Sequence, residues 1–179
     1  MSLRYEHPKM TFHTDREDVS IVAVFLKGEQ IVSTKSILYF NNQSVPNSGY
    51  MPSQHGDHAI INLDGAYQSG YQDVLIFTLH DYQNNLEPSR LFLVNNEVQP
   101  AELASARPFS TKNIEGVQAG MNLCFHISLD DYFRTRRVSL NQIPSWRFSQ
   151  KSGYFENSSD TLQSILANSF DYLSIPLKK

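Results

Sequence analysis

A chain of 179 residues with 40% hydrophobic residues fits one compact domain, residues 1–179, whose core needs no staple. Its net charge of −3 offers nucleic acid no basic face, and no apolar run reaches the roughly 18 residues of a membrane span. The single cysteine excludes an intrachain disulfide and points to a reducing, cytoplasmic compartment.

Strand signals dominate from the start. Residues 21–26 form a short apolar block rich in β-branched side chains and stopped by Gly28, which reads as a strand buried on both faces. Residues 30–33 can pair back as a hairpin, and residues 36–40 are the next strand. From Asn41 to His58 the chain reads as a loop, because Pro46, Asn47, Gly49, Pro52 and Gly56 are all turn residues. A loop of about 16 residues inside a compact domain is uncommon and is usually functional or disordered.

Residues 59–63 and 73–79 read as two further strands, with turn chemistry over 64–70 between them. Residues 90–94 form a strand, and Asn95-Asn96-Glu97 is its hairpin tip. Met121, Leu123, Phe125 and Ile127 alternate with Asn122, Cys124, His126 and Ser128, the cleanest period-two pattern in the chain. Arg134-Thr135-Arg136-Arg137 follows Asp130-Asp131 and reads as a locally neutralised run. Residues 137–140 and 145–149 complete the strands, with Pro144 between them. One helix is predicted near the C-terminus: Ser159 caps it, Asp160 sits in its first turn, and Leu162, Ile165, Leu166 and Leu173 fall near one face. The sum is an all-β fold, an antiparallel β-sandwich of two sheets with one C-terminal α-helix.

The chemistry-bearing residues are few. There is no Gly-x-Ser-x-Gly elbow, no phosphate-cradling Gly-Lys-Ser/Thr loop and no His-Glu-x-x-His. Cys124 and His126 sit two apart on one strand, so they share a face at about 7 Å, too far for a thiolate–imidazole pair. A thiol enzyme built on them would need a reactive Cys124. In His55-Gly56-Asp57-His58, two imidazoles flank a carboxylate and could hold zinc, though no fourth ligand is in view and the same residues suit a solvated loop. Calcium wants roughly six to eight oxygens. Asn41, Asn42, Asn47, Ser48 and Asp57 offer them from the long loop, Asp15, Glu17 and Asp18 from before the first strand, and Asp81 from after His80. Those residues also cap turns.

Glu17-Asp18-Val19-Ser20, Tyr39-Phe40-Asn41-Asn42, Gly56-Asp57, His80-Asp81, Trp146-Arg147-Phe148 and Ser152-Gly153-Tyr154 stand in this order along residues 17–155. That series resembles the TerD family of tellurite-resistance and stress proteins. The resemblance implies a β-sandwich, a non-enzymatic role in a bacterial stress response, and calcium at the loop end. Carried onto this chain, the ligands are Glu17, Asp18, Asn42, Asp57 and Asp81. Where the family places further carboxylates, this chain has Val19, Tyr50, His58 and Ala59, which implies a weakened calcium site. Its segment 100–120 is also longer and more polar than the family's connection. The alternative is a metal-free protein–protein interaction module that pairs with family paralogues or with itself.

Overall fold

Apolar side chains on six strands, three from each of two antiparallel sheets, face each other across one core. The computed structural model describes residues 2–4, 8–16, 19–28, 34–80, 89–114 and 120–139. The first sheet contains β2 (Lys9–Thr14), β5 (Ser44–Val45), β6 (Gly49–Tyr50), β7 (His58–Asn62), β9 (Ser89–Val94) and β10 (Ser110–Ile114), in the order β10-β9-β2-β7-β6-β5. The second contains β3 (Val19–Leu26), β4 (Ile37–Leu38), β8 (Asp73–His80) and β11 (Gly120–Ser128), in the order β11-β8-β3-β4. Two short strands, β1 (Ser2–Arg4) and β12 (Arg137–Ser139), pair separately. The fold is an all-β sandwich.

Met10, Phe12, Ala59, Ile61, Leu91 and Leu93 face inward from the first sheet, and Ile21, Ala23, Phe25, Val74, Ile76 and Phe125 from the second. Phe12 and Phe125 bridge the sheets with ring centroids 5.9 Å apart. Every residue from Ile21 to Leu26 is buried, which explains why this strand is apolar at successive positions instead of alternate ones.

The sequence read residues 41–58 as one loop; the structure places β5 and β6 inside it. The turn between them puts Asn47 at φ 61°, a left-handed conformation that asparagine tolerates, and β6 then pairs onto β7. The expected turn over 64–70 is instead a short helix, α1 (Leu63–Gln68), because the Asn62 side chain accepts from the Gly65 N–H at 3.0 Å and caps it. A Cβ on Gly65 would lie 1.7 Å from the Asn47 carbonyl oxygen, so this glycine lets the turn dock against the helix.

A second helix, α2 (Leu129–Thr135), was also not expected; Ser128 caps it through the Asp131 N–H. The Asn95-Asn96-Glu97 hairpin tip is corrected too. After β9 the chain crosses the outer face of the first sheet through a 3-10 turn, Pro100–Ser105, before returning as β10. Thr11 donates to the Asn96 carbonyl at 2.7 Å, Val98 N–H donates to Thr11 Oγ1 at 3.0 Å, and Lys9 pairs with Glu97 at 2.6 Å. These bonds pin the crossing segment to the sheet.

Both helices lie at one end of the sandwich, and the β2–β3 and β7 approaches lie at the other. The predicted hairpin at 30–33, the strand at 145–149 and the C-terminal helix lie outside the described residues. No helix among the described residues is long and apolar enough to cross a membrane.

Candidate functional site

The loop end is built by three approaches. Val19 pairs with His80, so the chain runs toward Asp18 and toward Asp81 from the same end of the second sheet. Gly56 and Asp57 are tied to that end by backbone bonds: Ile21 N–H to the Gly56 carbonyl at 2.6 Å, and Thr14 N–H to the Asp57 carbonyl at 3.0 Å. Gly56 adopts φ 74°, and a Cβ there would stand 3.0 Å from the Phe40 Cβ. The Asp57 backbone is therefore fixed, while its Oδ1 is buried with no hydrogen-bond partner.

Asn42 has a different job. It exchanges backbone bonds with Tyr39, and its amide nitrogen donates to the Ile37 carbonyl at 2.7 Å and the Lys35 carbonyl at 3.2 Å. The side chain clasps the turn after β4 and leaves its oxygen as the atom a cation would use. Glu17, Asp18 and Asp81 lie outside the described residues. Three other loop candidates are committed to structure. Asp15 pairs with Arg90 at 3.1 Å, Asn47 donates to the Gly65 carbonyl at 3.3 Å, and Ser48 Oγ donates to the Pro46 carbonyl at 3.2 Å. Among the described residues no group of three or more His, Cys, Asp and Glu could hold one metal ion.

The His55-Asp57-His58 reading is corrected by burial: His55 is exposed on the loop, whereas His58 lies in β7 with only 1% of its surface accessible. Its neighbour is His13 of β2, directly opposite in the ladder, a residue the sequence reading passed over. The available signal was the alternation of Met10 and Phe12 with Lys9, Thr11 and His13. His13 Nε2, Asp57 Oδ1 and Ser89 Oγ are buried polar atoms without a partner, and the buried ring nitrogens of His58 have only the Val98 backbone within reach, short of a well-formed hydrogen bond.

Burial lowers both imidazoles below the ordinary histidine value of 6.5. For His13 the neighbouring His58 adds to that effect; for His58 the nearby Val98 backbone and the Asp57 charge oppose it. A lowered histidine contributes stability that is complete above the unfolded value and is lost as pH falls through it toward the folded value. The melting temperature is thus expected to fall as pH drops below about 6.5. His58→Leu removes one of the two buried imidazoles and should flatten that fall, which thermal melts at a series of pH values would show. An unchanged slope would mean His58 is not buried neutral.

Cys124 and His126 do not share a face. The β11–β8 register slips between Leu123 and Phe125, and this bulge turns both Cys124 and Phe125 into the core. Cys124 Sγ lies 3.8 Å from Thr78 Oγ1, and His126 Nε2 lies 2.7 Å from Asp73 Oδ1. The thiol–imidazole arrangement has no geometry.

At the helix end the basic run is neutralised as expected. Arg134 pairs with Asp131 at 2.9 Å, and Arg136 pairs with Asp64 of α1. Phe133 is 42% exposed, stacks on Tyr67 at 4.1 Å, and lies under the Arg136 guanidinium.

No family model and no curated protein matches the chain. Solved structures do, among them two that cover most of this chain. One is protein SAV2460, of unknown function: TM-score 0.56, 11% identity, covering 83% of this chain and 95% of that one. The other is a homologue of the telluride resistance protein TerD from Streptomyces coelicolor A3(2): TM-score 0.56, 10% identity, covering 87% of this chain and 98% of that one. At such low identity the likeness speaks for the fold alone, and in fold the chain is a TerD-like β-sandwich.

Proposed function

We propose that the chain is a non-enzymatic binding or scaffold protein of a bacterial, cytoplasmic stress response, with a loop-end site that takes calcium at reduced affinity. Asp57 carries this reading. Its backbone is held by Thr14, yet its Oδ1 is buried without a partner, a state that native proteins rarely leave uncompensated. Glu17, Asp18 and Asp81 would supply further carboxylate oxygens, and Asn42 its side-chain oxygen. Bound calcium would neutralise these carboxylates and join the segments that bear them.

Calorimetric titration is expected to give saturable heat with Kd on the order of 10⁻⁴ to 10⁻³ M, the range of weak calcium modules. Millimolar calcium should also raise the melting temperature, and Asp57→Asn should weaken both responses. Absence of both heat and shift would reject the site. The scaffold half of the proposal is supported by Phe133, Tyr67 and Arg136, residue types that concentrate binding energy at interfaces. The partner proposed there is a TerD-type paralogue or a second copy of the chain.

A further inference from the structure

We propose that His13 and His58 form a two-nitrogen site for a divalent transition-metal ion of the class imidazole prefers, such as zinc, nickel or copper. This site is independent of the calcium reading. Its basis is the ladder between β2 and β7. Thr14 N–H donates to the Asp57 carbonyl, so those two residues form a hydrogen-bonded pair. Because pair types alternate along an antiparallel ladder, His13 and His58 occupy the non-hydrogen-bonded kind, in which facing side chains come closest.

Their ring centroids are 6.4 Å apart. An ion holding one nitrogen of each ring at about 2.0–2.1 Å brings the centroids to roughly 5 Å, a closure that side-chain rotation supplies. The surroundings favour such an ion. His58 is 1% exposed, its buried ring nitrogens meet no polar group but the Val98 backbone, and His13 Nε2 is buried without a partner. Phe92 lies 4.9 Å from the His13 ring, so the flank is apolar. Imidazole ligates through an unprotonated ring nitrogen, and each ring brings one to this pair. Among the described residues no third His, Cys, Asp or Glu joins them on one ion, so the remaining positions fall to water. Calcium, an oxygen-seeking cation, gains little from imidazole.

The test uses the untagged full chain. Zinc is expected to raise the melting temperature where equimolar calcium gives a different, His13-independent response. Copper(II) should show electron paramagnetic resonance coupling to two nitrogens. Both signals should vanish in His13→Gln, whose metal-free melting temperature and circular dichroism should match the wild type. Both should persist when the other four histidines, His7, His55, His80 and His126, are all Gln. If His13→Gln fails to fold, that four-histidine variant decides alone: two coupled nitrogens support the site, and fewer overturn it. No zinc response in the wild type, meaning ordered water alone fills these atoms, would overturn it. So would a response that survives in a folded His13→Gln, meaning an adventitious ion only. A chain that binds zinc but ignores calcium would reject the loop-end calcium site and leave this one standing.

Discussion

Phe125→Ala is expected to remove about 4 kcal/mol of folding stability, the largest loss of any substitution considered for this chain. The ring is fully buried, sits just after the β11 bulge, and meets Phe12 of the opposite sheet at 5.9 Å. Truncation removes its transfer energy and leaves a cavity between two sheets that can close only partway. Urea denaturation with an unchanged slope should report the loss as a shifted midpoint. A loss below about 1 kcal/mol would contradict a close-packed contact between the sheets here.

Gly65→Ala is expected to destabilise by about 3 kcal/mol, although in an exposed helix interior the same change stabilises by about 1 kcal/mol. The reversal has one cause. The added methyl would stand 1.7 Å from the Asn47 carbonyl oxygen, a backbone atom of the β5–β6 turn. Accommodating it means moving that turn off α1 and breaking the Asn47 side-chain bond to the Gly65 carbonyl. Thermal melts should show a fall of several degrees. An alanine variant as stable as the wild type would mean that the turn and the helix do not touch.

The strands with the most apolar content were legible in the sequence. Residues 21–26, 73–79 and 121–127 all lie in strands, as do 59–62 of the predicted 59–63, with Leu63 opening α1, since continuous or alternating hydrophobicity is a local signal. What escaped depends on capping or on distant partners. In β2 only Met10 and Phe12 carry the apolar face, so the strand is defined by its neighbours β7 and β9. The two helices are shorter than periodicity can reveal, and single side-chain bonds from Asn62 and Ser128 start them. The Cys124 bulge inserts one residue into a strand, and one residue reverses which face follows.

The sequence marks Asp57 as a candidate ligand, and its Oδ1 is buried without a partner; the imidazole pair is a different matter. It was not legible in His13, because the pairing with His58 joins segments far apart in sequence. Nor did the sequence show that Asp15, Asn47 and Ser48 are held by Arg90, Gly65 and Pro46.

The bulge at Cys124 carries one last consequence. Its sulfur is the chain's sole thiol, and it is sealed between the sheets beside Thr78. In the folded state that sulfur is closed to solvent, so a thiol probe in solution reaches it only when the sheets open.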